Sequence, residues 1–192
     1  FSEKIRLLME TGWGRGEGGE IFPQTRRLKN ELRKILDRTV FHGFGLRVDA
    51  YGSQKRLVLK AKEAESTLPF MVWSAGQREF VPLLMGFYWL LPPTKVSRKQ
   101  DVEWVVIEEP EAGLHPNAIS AVLLLILDLL ARGYRVCLST HSPHVLDVVW
   151  ALKVIREHQA PSIKILDLFN AQKTDPMKEM ADAVLGKIAR VY

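Results

Sequence analysis

The apolar run Val105-Val106-Ile107 passes without transition into Glu108-Glu109-Pro110-Glu111. Three consecutive β-branched residues favour extended chain. With no polar residue among them, Val102–Glu108 reads as a strand buried on both faces, the pattern of a parallel sheet. Carboxylates at the end of such a strand are costly to desolvate unless positive charge meets them. A hydrated Mg²⁺ carrying a nucleotide phosphate supplies that charge. An acidic loop turning out into solvent is the plainer alternative.

The residues that follow keep the same rhythm. A helix is expected over about 117–131, ended by Gly133, and a second buried strand over Tyr134–Ser139. Ser142 and Pro143 suit the N-cap and first turn of a helix running to about His158. Ser162–Leu168 reads as a third strand and Pro176–Val191 as a last helix. Strands alternating with helices of this length predict an α/β fold, a parallel core sheet with right-handed crossovers. Ligands of such sheets sit at the carboxyl ends of the strands.

Upstream, the pattern is less regular. Residues 12–20 (GWGRGEGGE) read as a mobile glycine-rich loop. Thr25–Thr39 has Leu28, Leu32, Ile35 and Leu36 at helical spacing among Arg26, Arg27, Lys29, Arg33, Lys34 and Arg38. This basic amphipathic helix is either a solvated face or a phosphate-contacting one. Residues 44–50 and 55–62 alternate around Tyr51-Gly52-Ser53-Gln54 as a hairpin. A long apolar helix over roughly 76–91 follows, then a basic loop with Lys95, Arg98 and Lys99.

With 192 residues, 47% of them hydrophobic and 26% charged, the chain has material for one cored domain with an appendage. A disordered tail, a collagenous chain and a disulfide scaffold are excluded. The net charge of +5 permits an anionic partner without requiring one. Cys137 is the only cysteine, which rules out an internal disulfide and fits a reducing, cytoplasmic setting. The longest uncharged stretch, Phe80–Thr94, is broken by Pro82, Pro92 and Pro93 and cannot form a membrane-spanning helix. No signal-peptide pattern opens the chain, and Phe1 in place of Met suggests a piece of something longer.

Two further segments could carry chemistry. Ser139-Thr140-His141-Ser142-Pro143-His144 puts a histidine just past the second strand, where it could reach a γ-phosphate or simply bond the turn's own backbone. Cys137, His141 and His144 are a poor zinc set, because the cysteine belongs inside the strand and no second cysteine accompanies it. Ser74-Ala75-Gly76-Gln77-Arg78-Glu79 opens the long apolar helix. Ser74 with Gln77 has capping-box spacing, and the same geometry can turn helix N–H groups toward an anion.

In chain order, these three segments resemble the second half of an ABC-type ATPase domain, as found in SMC/RecF-like repair ATPases and OLD-family ATPases. SAGQRE resembles the LSGGQ signature, VVIEEPEAGLHP the Walker B motif with its D-loop, and STHSP the switch-histidine loop. The likeness covers roughly residues 70–150. It implies a P-loop NTPase half-domain over 70–192, preceded by a helical and hairpin arm over 1–69.

The resemblance implies these roles. Glu108 would hold Mg²⁺, usually through water, and Glu109 would orient or deprotonate the attacking water. His141 would contact the γ-phosphate. Ser74, Gly76 and Gln77 would close on the ATP of a second protomer in a head-to-tail homodimer, with Gly113 and Leu114 in the D-loop crossing the interface. Glu108 stands where Asp is usual, and Ala75 replaces a glycine. A larger departure is the missing Walker A. Gly14–Gly19 has the glycine spacing but Glu20 where the lysine should be, and Gly186-Lys187 lacks the first glycine. The expected complete protein therefore has a Walker A half outside these residues and hydrolyses ATP in DNA repair or phage defence. DNA or a separate nuclease subunit is the further partner to test. A non-hydrolysing, nucleotide-dependent scaffold is the first rival. A metal-dependent nuclease using Glu108, Glu109 and Glu111 is the second; the chain carries no further acidic cluster for one, so a nuclease is expected as a different subunit.

Overall fold

A computed structural model describes residues 19–51, 54–61, 66–91, 98–187 and 189–191. The expected glycine-rich loop lies mostly outside these residues, as does Lys95. The chain divides into two compact units between Trp89 and Leu90.

The first unit contains a four-stranded antiparallel sheet in chain order: β1 (Glu20–Phe22), β2 (Phe44–Tyr51), β3 (Gln54–Ala61) and β4 (Thr67–Pro69). The β2–β3 pair is the expected hairpin, with Leu46 opposite Leu59 and Arg47 opposite Val58. Between β1 and β2 run helix α1 (Asn30–Leu36) and a π-helical turn, Asp37–Phe41. The helix expected from Thr25 thus starts later, at Asn30, and carries less of the basic stripe. Arg27 lies before it and donates from Nη1 to the Tyr88 carbonyl, so its guanidinium serves the unit's own packing. Desolvation lowers the Arg27 pKa, despite the opposing pull of Tyr88. Arg26 and Lys34 remain exposed. Leu32, Leu36, Phe41, Leu46 and Leu59 are buried together with Phe22, whose ring stacks on Phe41 at 4.1 Å. Helix α2 (Ala75–Leu90) adds Phe80, Val81 and Leu84 to the buried residues.

The second unit contains β5 (Trp104–Glu108), α3 (Pro116–Ala131) and β6 (Arg135–Ser139). β5 and β6 pair in parallel, with Val106 opposite Cys137 and Glu108 opposite Ser139. Helix α3 is apolar nearly all round, with Ala118, Ile119 and Ala121 through Leu129 buried, the composition of an interior helix. It packs against β6, against α4 (Pro143–Glu157) and against α6 (Asp175–Leu185). Asp128, fully buried on this helix, accepts from Arg132 Nε at 3.1 Å. Tyr134 is anchored before β6: its hydroxyl donates to the Leu90 carbonyl and accepts from the Lys99 amide.

Three expectations are corrected. Ser162–Leu168 is no strand: Ile163–Leu168 forms helix α5. The buried residues there are Ile165, Leu166 and Phe169, a helical spacing, while Leu168 is exposed. The last helix ends at Leu185 with Gly186 as its C-cap, short of Val191. The two core strands are not buried on both faces. Among the described residues they form a two-stranded sheet, and Trp104 and Val106 are 58% and 68% exposed. Cys137, on the same face through its pairing with Val106, is exposed too.

Candidate active site

Parallel pairing decides where the acidic run goes. Because Glu108 pairs with Ser139, both strands finish at the same edge, and Glu109 and His141 emerge side by side. At Glu109 the backbone enters the left-handed region (φ 43°), rare for a residue with a side chain. Its amide donates to the Ser139 carbonyl at 3.0 Å, so the turn is pinned across the sheet edge. His141 Nε2 then stands 3.5 Å from Glu109 Oε1, with side chains 89% and 57% exposed. Glu108 is exposed at the strand end as well. These three groups sit in water, open to a substrate that approaches the strand ends.

Glu111 behaves differently. Its Oε1 accepts from the Thr140 hydroxyl at 2.6 Å, the His141 amide at 2.8 Å and the Ser142 amide at 3.1 Å. Burial pushes this carboxyl pKa up, but the Thr140 hydroxyl and the amides outweigh that, and it lies below the usual carboxylate range. The turn continues through Gly113 at φ 66° to His115, whose Nδ1 accepts from the Asn117 amide and caps α3. His144 Nε2 meets Ser120 Oγ at 3.0 Å, a link between α4 and α3.

Their place just after two expected strands, and the resemblance to ABC-type ATPases, marked Glu108, Glu109 and His141, and the structure brings them to one edge. The tie from Glu111 escaped that reading, although its spacing from Glu108 and the Thr140-x-Ser142 pair hinted at it. Among the described residues, no group of three or more His, Cys, Asp and Glu is arranged to hold a metal by itself. A single exposed carboxylate such as Glu108 still fits Mg²⁺, which is commonly held by one or two carboxylates with substrate phosphates and water.

Ser74, Gly76 and Gln77 belong to the first unit, at the start of α2. Ser74 and Gln77 form the expected capping box. The Gln77 amide donates to Ser74 Oγ at 3.2 Å, and the Ser74 amide to Gln77 Oε1 at 3.1 Å. Gln77 Nε2 also donates to the Val40 carbonyl. The Gln77 amide is therefore engaged inside the unit rather than turned outward. The Ala75 and Gly76 amides precede the first intrahelical hydrogen bond, from the Arg78 amide to the Ser74 carbonyl.

The family described as "AAA domain, putative AbiEii toxin, Type IV TA system" matches residues 23–147. The chain belongs to this AAA domain family, an ATPase-type class. It is also 31% identical over 80 residues to the Old nuclease of Escherichia phage P2; the match takes in 42% of this chain and 14% of that protein. No solved structure matches the chain. Among the described residues, no helix is long and apolar enough to cross a membrane.

Proposed function

We propose that this chain is the carboxyl-terminal part of an ABC-type, OLD-like ATPase domain that hydrolyses ATP as a head-to-tail nucleotide-sandwich dimer. The observation that carries the reading is the meeting of Glu108, Glu109 and His141 at the carboxyl ends of two parallel strands. That is the edge where α/β sheets present ligands, and AAA membership supports the nucleotide.

In this reading Glu109 accepts the proton of the attacking water, for which it must be solvent-accessible and ionised. His141 donates to the γ-phosphate from the adjoining turn. Glu108 holds Mg²⁺, which when bound neutralises charge on the β- and γ-phosphates. Ser74 keeps its hydroxyl proton available while its oxygen caps α2. With the Ala75 and Gly76 amides, it faces the nucleotide of the second protomer, where a helix N-terminus favours an anion, while Gln77 holds the cap in place.

The phosphate cradle comes from a Walker A half outside these residues. The exposed Trp104–Val106 face supports that addition, since parallel strands are normally covered on both faces. DNA repair or phage defence is the proposed setting, with DNA or a separate nuclease subunit as partner. A nuclease within this acidic run is disfavoured, because Glu111 Oε1 is already committed to three donors.

The test is ATP turnover by the full-length protein with Mg²⁺, beside a Glu109→Gln variant. Turnover lost in the variant with ATP binding retained supports the reading. Tight ATP binding with no turnover in the parent protein would replace it with a nucleotide-switched scaffold. Plasmid cleavage by the purified chain would favour the nuclease.

A further inference from the structure

The turn after β5 and the turn after β6 are tied together through one carboxylate oxygen. Glu111 Oε1 gathers the Thr140 hydroxyl and the His141 and Ser142 amides, and Thr140 Oγ1 itself accepts from the Ser142 amide at 3.0 Å. Glu111 Oε2 is buried with no hydrogen-bond partner, so the carboxylate spends its bonding on this one turn. Ser142 is the N-cap of α4, yet its own side chain makes no capping bond. Glu111 supplies the anion at that helix start from another segment of the chain. Bonds of this charge-assisted kind are stronger than neutral ones.

The His141 ring has little of its own to hold it. Its side chain is 89% exposed, and its Nε2 stands 3.5 Å from Glu109 Oε1. The position of the ring is therefore inherited from the backbone of residues 140–142, and that backbone is organised around Glu111. On the other side, the Leu114 amide donates to the Glu111 carbonyl at 3.0 Å and the Ala112 amide to the Glu109 carbonyl at 2.9 Å. One compact turn thus carries both Glu109 and the carboxylate that fixes the histidine loop.

We propose that Glu111 is a positioning residue, which sets where His141 stands relative to Glu109 by collecting the Thr140–Ser142 donors on one oxygen. The loop-holding role stands on the geometry alone. Its catalytic consequence rests on the reading of Glu109 and His141 as the hydrolytic pair.

Amide hydrogen exchange on the full 192-residue chain tests it, comparing wild type with Glu111→Ala, Glu111→Asp and Glu111→Gln. Alanine removes the acceptor and aspartate withdraws it by one methylene, so both should speed exchange at His141 and Ser142 by about 10- to 100-fold. Val136 and Leu138 amides in β6 should be unchanged. Glutamine keeps a neutral acceptor at the same reach and should restore most of the protection. Unchanged protection at His141 and Ser142 in both the alanine and aspartate variants overturns the proposal. So does equal loss across β6, or glutamine behaving like alanine. If alanine fails to fold, aspartate and glutamine decide between the same outcomes.

In the ATP-hydrolysing full-length protein, Glu111→Ala should lower kcat while leaving KM for ATP unchanged, with recovery in Glu111→Gln. A KM effect alone would count against positioning. If wild type turns over no ATP, the hydrolysis reading fails while the exchange experiment still decides the role of Glu111.

Discussion

His141 Nε2 and Glu109 Oε1 lie 3.5 Å apart, although 32 positions separate them along the chain and each belongs to a different turn. Their approach follows from the register of β5 and β6, in which Glu108 opposes Ser139. A one-residue slip would reverse which side chains face α3 and would move the histidine away.

Glu109→Gln keeps the shape of this pair and removes the base. In the full-length protein it should leave ATP binding intact and slow hydrolysis by about 10²–10⁴-fold. Nucleotide-binding titration alongside steady-state turnover checks both halves. Near-normal turnover would take Glu109 out of the role.

Ser74 separates a sandwich ATPase from one that works alone. Ser74→Ala should cost about 1 kcal/mol through the lost cap, read by denaturant unfolding. Ser74→Arg should leave nucleotide binding in place but abolish ATP-dependent dimerisation and most hydrolysis. Mixing it with a variant lacking the P-loop lysine should restore one composite site per heterodimer, seen as turnover against mixing ratio. Normal hydrolysis by monomeric Ser74→Arg would leave SAGQRE as a capped helix only.

The Glu111 carboxyl has a depressed pKa in the folded chain. A depressed carboxylate stabilises the fold at pH above its unfolded value, about 4.3, and loses that contribution as pH falls through its folded value. Wild type should therefore lead Glu111→Gln in stability at pH 7, and the lead should shrink below about pH 4. Urea unfolding at pH 7 and pH 3 measures it. A constant difference would mean that Glu111 carries no linked proton.

Leu125 is fully buried on α3, where that helix fills the interior of the second unit. Leu125→Ala should destabilise by about 2–5 kcal/mol, a cavity cost. Val106 provides the contrast. At 68% exposure, Val106→Asp should change the stability of this chain by less than about 0.5 kcal/mol. The same change should prevent association with a Walker A half. Calorimetry on the chain and co-purification with that half distinguish the two effects.

The sequence by itself determined the strand–helix–strand run from Trp104 to Ser139, because apolar periodicity, Gly133 and the Ser142-Pro143 start signal act locally. It also determined the β2–β3 hairpin and the capping box at Ser74, whose partners lie within a few residues of each other. The acids after β5 and the histidine after β6 were marked by their place beyond expected strands and by the motif resemblance. Only tertiary structure decided that Ile163–Leu168 is helical, since its apolar spacing suits either period until burial selects Ile165, Leu166 and Phe169. It also decided that Arg27 turns inward to the Tyr88 carbonyl, 61 residues away. The tie from Glu111 to residues 140–142 has the same origin, because it depends on two strands finishing at one edge. Contacts between distant segments exist only once the register between them is set, and no local pattern encodes that register.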